Sequence, residues 1–138
     1  MKIEEFINKH LNKIVDFDGA FGGQCVDVFR QYCKDVLEIP HTGAVEGAKD
    51  LFLNYDNMPL EKEYFQKMFS KHYLYGDVVV WGKSMTNKYG HVAIFIHRIS
   101  NNEILVLEQD GFKQNGLKLK SRSTNNILGI LRSKVKVG

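Results

Sequence analysis

Cys25, His91 and the carboxylates of Glu108 and Asp110 present, in chain order, a thiol, an imidazole and an acid. From such a set a cysteine nucleophile is built: the thiolate attacks an acyl carbon, the imidazole moves the proton, and a polar group fixes the imidazole's tautomer. Singly, each residue has a plainer reading. Cys25 would pass as a small buried apolar side chain, His91 as structural, and Glu108 and Asp110 as strand-end charges. The chemistry needs them together, and magnitudes show why. A free thiol with pKa about 8.5 is only a few per cent ionised at pH 7. A helix N-terminus contributes roughly 0.3–1 kcal/mol, less than the ~1.36 kcal/mol of one pKa unit. A helix start alone therefore leaves a cysteine mostly protonated, and an adjacent imidazolium has to supply the remainder.

A second constellation lies just before the thiol. The segment DFDGAFGGQCVD places carboxylates at its first, third and twelfth positions, Asp16, Asp18 and Asp27, with backbone carbonyls of Ala20 and Gly22 at the fifth and seventh. Those are positions at which an EF-hand loop takes oxygens for calcium. The match departs at the sixth position, Phe21 in place of glycine, and at the twelfth, Asp in place of Glu. A turn leading into a helix cap accounts for the same residues. Three carboxylates crowded on one short loop repel one another without a cation, which favours the metal reading.

These groups need elements to position them. Ile3, Phe6, Ile7, Leu11 and Ile14 recur near a 3.6-residue period and predict a helix over Ile3 to Lys13. Cys25, Val28, Phe29, Tyr32, Cys33, Val36 and Leu37 keep that period without a miss, so a second helix starts at Cys25 and stops before Pro40. A weaker helix is expected over Ala44 to Leu53. Cys25 and Cys33 are then about 12 Å apart along one helix at ~1.5 Å per residue, beyond the roughly 7 Å a disulfide spans. From Gly76 onward GDVVVWG, HVAIFIHRI, NEILVLEQD, LKLKSRS and ILGILRS read as strands. Helices first and an antiparallel sheet after make an α+β domain.

Parity brings the sheet residues together. A two-residue turn at Asn101-Asn102 sets His91, Glu108 and Asp110 on one face, with His91 opposite Phe112 and nearer Asp110 than Glu108. Register alone leaves open which acid orients His91, and a bulge would move the answer. His97 shares the parity of His91 but stands about 20 Å further on at ~3.3 Å per residue, too far to orient it.

Composition narrows the classes. The 138 residues are 43% hydrophobic and 25% charged, with 12 Gly and 2 Pro, which excludes collagen-like and disordered chains and suits one domain over residues 1–138. The net charge of +3 is too small for a nucleic-acid binder, although no acid follows Lys113 while Lys113, Lys118, Lys120, Arg122, Arg132, Lys134 and Lys136 do or open that stretch. MKIEEFINKH has no apolar run and does not read as a signal peptide. No stretch approaches the roughly 18 apolar residues of a membrane span, so no membrane partner is expected.

The acidic loop running into Gln24-Cys25 with Asp27 behind it, the strand Gly76 to Trp81, Gly90-His91-Val92-Ala93-Ile94 and Leu107-Glu108-Gln109-Asp110 together resemble a CHAP domain, the cysteine, histidine-dependent amidohydrolase/peptidase family common in phage and bacterial lysins. The resemblance implies a papain-like fold with N-terminal helices packed on a C-terminal antiparallel sheet. It implies Cys25 as nucleophile, His91 as base, Glu108 as orienting acid, and Gln24 with the Cys25 N–H as oxyanion donors. Some members carry asparagine where this chain has Asp110. It also implies structural calcium on Asp16, Asp18 and Asp27 with the carbonyls of Ala20 and Gly22. The implied substrate is bacterial peptidoglycan, cut in a stem peptide, a cross-bridge or the sugar–peptide amide by a monomer made in the host cytoplasm. A related papain-like amidase with a second histidine, or a non-catalytic wall-binding or tail module, are the alternatives.

Overall fold

A computed structural model describes residues 1–17, 19, 24–40 and 45–137. Asp18, Ala20 and Gly22 of the acidic loop, and Ala44 at the expected start of the third helix, lie outside the described residues.

Helix α1 runs Ile3–His10, burying Ile3 and Phe6, with Glu4 and Glu5 in its first turn and Lys9 and His10 in its last, the charge order that complements the helix dipole. It ends before Lys13 because Asn12 takes a left-handed φ of 65° and the chain turns to pair with Leu117, Asn12 N–H donating to its carbonyl and Leu117 N–H to Lys13 O, both at 2.9 Å. Helix α2 covers Cys25–Tyr32 and continues as a wider π-type turn over Cys33–Leu37, so the predicted span holds to Leu37. Glu38, with φ 55°, ends it two residues before Pro40. The third helix is shorter than expected, α3 at Asp50–Leu53. Three elements have no counterpart in the sequence reading: a 3-10 turn at Tyr55–Asn57, α4 at Pro59–Tyr64, started by a proline at its first turn, and strand β1 at Phe65–Met68.

The remaining strands match the predicted runs: β2 Val78–Trp81, β3 His91–Ser100, β4 Glu103–Gln109, β5 Leu117–Ser123 and β6 Ile127–Ser133. They form one six-stranded sheet in the order β1-β6-β2-β3-β4-β5, antiparallel at every pairing. The α+β architecture is thus as the sequence indicated. One sheet face carries Val78, Val80, Val92, Ile94, Leu107 and Leu131 against Phe6, Val28, Phe29 and Tyr32 of the helices. Burying a side chain such as Phe29, 1% exposed, is worth about 1.5–3 kcal/mol, and this interface fixes α2 against β3 and β4. The other face gathers Val79, Trp81, Ala93, Phe95, Ile104 and Val106.

Ser100 pairs with Glu103 across Asn101-Asn102, the expected two-residue turn, but the register shifts twice, between Phe95 and His97 and between Arg98 and Ser100, so that Ile94 pairs with Leu107. Two one-residue shifts cancel in parity. His91 and Glu108 keep their common face, while β4 ends at Gln109, before Asp110. Among the described residues no helix is long and apolar enough to cross a membrane.

Candidate active site

Cys25 is the first residue of α2 and His91 the first of β3, so both stand where their elements begin. The start of α2 is tied down on both sides. Asp27 Oδ2 accepts the N–H of Gln24 at 2.9 Å, a cap that satisfies one of the helix's orphan donors. From the sheet, the fully buried amide of Gln109 donates to Gln24 O at 3.0 Å and to Val15 O at 2.7 Å, while its Oε1 accepts the Val15 N–H at 2.7 Å. One side chain at the end of β4 thereby fastens both ends of the acidic loop. Gly111 lies so close to Gln24 that a Cβ there would be 2.4 Å from Gln24 Oε1.

His91 is placed by its neighbours in β3 and β2. Gly90, at φ +76°, turns the chain into the strand where a Cβ would come within 2.4 Å of Trp81 O, a position only glycine fills without strain. His91 pairs with Trp81 across the strands, and the indole lies 5.5 Å from the imidazole centroid to centroid. The imidazole of His91 lies against the side chains of Cys25 and Glu108 and interacts with both. Its Nε2 is 3.2 Å from Glu108 Oε1, but the N–H is not aimed well enough along the oxygen to meet a strict hydrogen-bond criterion. Distance and charge, more than ideal direction, define this contact.

Glu108 is 1% exposed and is gripped from its far side by Arg122, whose Nε and Nη2 each donate to one carboxylate oxygen, the latter at 2.7 Å. Burial works to raise the Glu108 pKa, but the hydrogen bonds from Arg122 and His91 outweigh it and hold the acid at about 2. Burial likewise works to lower that of His91, and the hydrogen bonds to Cys25 and Glu108 override it, raising the imidazole to about 9. The ring is therefore a cation at neutral pH, sandwiched between a sulfur and an ionised carboxylate.

Of the candidate residues, the structure brings together Cys25, His91 and Glu108 and sets Gln24 beside them. Glu108 is the acid that touches His91. Asp110 has left the strand, and its Oδ1 accepts the N–H groups of Phe112 at 2.8 Å and Lys113 at 3.3 Å in a turn. His97 is exposed, and Cys33 is 1% exposed in the core. Both thiols are free. In the acidic loop Asp16 is exposed and Asp27 is 2% exposed, with Oδ1 3.9 Å from Arg30 Nη1. Among the described residues no three His, Cys, Asp or Glu side chains gather as a metal cluster, and the loop's other three candidate positions fall outside them.

Arg122 and Gln109 were not legible as site residues. Arg122 looks like one polar position of an alternating strand, and its partner is fourteen residues away in sequence. Around the thiol and imidazole opens a groove of about 1080 Å³, whose walls include Trp81, Tyr89, Asp110, Lys120 and Arg122.

The CHAP domain family model matches residues 15–110, a span that contains Cys25, His91 and Glu108. The chain belongs to the CHAP family. Endolysin PlyTW of Staphylococcus phage Twort (strain DSM 17442 / HER 48) is 30% identical to this CHAP domain over 144 residues, covering 92% of this chain and 28% of that protein. The crystal structure of the wild-type endolysin LysIME-EF1 superposes with a TM-score of 0.76 at 20% identity, over 99% of this chain and 66% of that one. The crystal structure of Ly7917 does so at 0.63 and 16%, over 80% and 53%. These likenesses confirm the fold. The CHAP domain described here spans under a third of the curated relative it matches.

Proposed function

We propose that this chain is the catalytic domain of a phage lysin that hydrolyses an amide bond in bacterial peptidoglycan, with Cys25 as the nucleophile. The observation that carries the reading is His91, whose Nε2 is 3.2 Å from the buried Glu108 carboxylate and which lines one groove with Cys25. With Nε2 facing Glu108, an imidazolium beside the sulfur favours the thiolate as its partner.

The Cys25 sulfur attacks the scissile carbonyl carbon, and the carbonyl electron pair moves onto oxygen. The Cys25 backbone N–H, at the first position of α2, and the Gln24 side chain accommodate that oxyanion. The C–N bond then breaks as His91 gives its proton to the departing amine, leaving an acyl-thioester. Neutral His91 next takes a proton from water, the resulting hydroxide attacks the acyl carbon, and the thiolate leaves with the second product. Glu108 stays ionised throughout and compensates the charge on the ring.

Calcium on Asp16, Asp18 and Asp27 with the carbonyls of Ala20 and Gly22 belongs to the same proposal. It is supported by the spacing of the loop carboxylates, whereas Asp27, whose Oδ2 accepts the Gln24 N–H, also serves as the helix cap. Bound there the ion would supply structural cross-linking between loop and helix start.

Purified cell wall digested with the wild-type chain and with Cys25→Ala, followed by mass spectrometry of the released fragments, tests the reading. Expected are muropeptides with new termini from the wild type and none from the variant, the termini identifying which amide is cut. Fragments released equally by both proteins would overturn Cys25 as nucleophile. Retention on the wall with no release by either would leave a binding module.

A further inference from the structure

We propose that Arg122 is a positioning residue of this active site, acting on His91 and Cys25 through Glu108 and not through the substrate. This rests on the catalytic reading of Cys25 and His91 above.

The argument starts from what Glu108 must do. A carboxylate that orients an imidazole has to be ionised and has to present one particular oxygen, yet Glu108 is 1% exposed, and an isolated buried carboxylate prefers to be neutral. Arg122 answers both needs. Its guanidinium meets the carboxylate as a fork, Nε on Oε1 and Nη2 on Oε2, a planar two-bond grip that fixes the carboxylate's rotation about its last torsion as well as its charge. The oxygen shared with His91 Nε2 is the one that Arg122 Nε holds.

Arg122 is itself braced. Its guanidinium carbon lies 5.9 Å from the centroid of Trp81, the ring that also flanks His91, and the Trp81 Nε1 donates to Ser123 O at 3.1 Å, next in the chain to Arg122. Indole, imidazole, carboxylate and guanidinium thus close one loop of contacts across β2, β3, β4 and β5. Lysine could not make the fork, and the flanking basic residues of β5, Lys118 and Lys120, do not take its place: Lys118 Nζ is spent on Asn12 Oδ1 at 2.7 Å.

Arg122 also lines the groove, so a cation that binds substrate is the competing role, and a brace that merely holds β5 on β4 is another. A double-mutant cycle separates all three. Arg122→Met and Arg122→Lys are made in the wild-type and in the Glu108→Gln backgrounds, with initial rates of wall hydrolysis and melting curves for each. If Arg122 acts through Glu108, Arg122→Met lowers kcat by ~10–100-fold, taking as a guide the loss seen when partners that orient metal-bound histidines are removed, with KM unchanged. In the Glu108→Gln background it costs nothing further. Arg122→Lys, which keeps the charge and folds with less disturbance, recovers only part of the rate. A loss confined to KM would make Arg122 a substrate contact and overturn the proposal, as would an equal loss in both backgrounds. A lowered melting temperature with kcat intact would reduce it to a structural brace. Should the wild type release nothing from walls, the catalytic reading fails separately, and the same cycle is then read on the rate at which iodoacetamide alkylates Cys25 at neutral pH. An alkylation rate unmoved by Arg122→Met would again overturn the role.

Discussion

Gln109 and Val15 exchange two hydrogen bonds of 2.7 Å, the amide Nε2–H to Val15 O and the Val15 N–H to Oε1, which closes the chain around the acidic loop like a backbone pair in a sheet. Gln109 is fully buried. Replacing it with leucine, similar in bulk, leaves the Val15 N–H and the carbonyls of Val15 and Gln24 without that partner. Each unsatisfied buried group costs ~1–3 kcal/mol, so Gln109→Leu, which strips three, should lose at least about 3 kcal/mol in urea unfolding. It should also lower kcat, because Gln24 and with it the start of α2 come loose. A variant as stable as the wild type would show that water replaces the amide at no cost.

The His91–Glu108 contact makes stability depend on pH in a defined direction. His91 is raised from 6.5 to about 9, so its contribution is fully present below pH 6.5 and is lost as pH rises from 6.5 to 9. Glu108 is lowered from 4.5 to about 2, so its contribution is present above pH 4.5 and is lost as pH falls from 4.5 to 2. Melting temperature should therefore be highest between about pH 4.5 and 6.5. His91→Asn should flatten the alkaline fall, measured by calorimetry from pH 6.5 to 9. An alkaline limb that persists in the variant would assign it to another group.

Gly111 leaves room for Gln24. Since a Cβ there would approach Gln24 Oε1 to 2.4 Å, Gly111→Ala should displace the glutamine's end while sparing the core. Loss of one oxyanion donor costs ~100–1,000-fold in kcat, and a displaced donor should cost up to that amount, with the melting temperature within a few degrees of wild type. Unchanged kinetics would remove Gln24 from the proposed oxyanion site.

Chelation probes the acidic loop. If calcium joins Asp16, Asp18 and Asp27, excess chelator should lower the melting temperature, and added calcium should restore it, since a ligand present at 100 times its Kd stabilises by ~2.7 kcal/mol. Asp16→Ala with Asp18→Ala should abolish that response. A melting temperature indifferent to calcium in the wild type would leave the loop as a turn and helix cap.

Helix α2 and strands β2 to β6 were legible because their signals are local: an unbroken 3.6-residue apolar period from Cys25 to Leu37, and β-branched runs bounded by turn residues. The order thiol, imidazole, acid was legible for the same reason, as residue type and sequence. Helix α4 and β1 were not, because PLEKEY and FQKM carry neither a clear period nor a strand-like run, and it is pairing with β6 that makes Phe65–Met68 a strand.

The choice between Glu108 and Asp110 shows the boundary most clearly. Alternation along β4 put both on the face of His91, and the paired bulges in β3 preserve that result for Glu108. Which of them meets the ring depended on where β4 ends, and it ends at Gln109, because Asp110 is drawn into a turn by the amides of Phe112 and Lys113. Likewise the local sequence determined that a cysteine opens a helix, whereas only the tertiary structure brought Arg122 to Glu108 and Gln109 to the residue before that helix. Periodicity and spacing report on groups a few residues apart along one element. The charge on a buried acid and the position of a helix start are set by partners brought close from distant segments when the sheet closes, and nothing short of that packing specifies them.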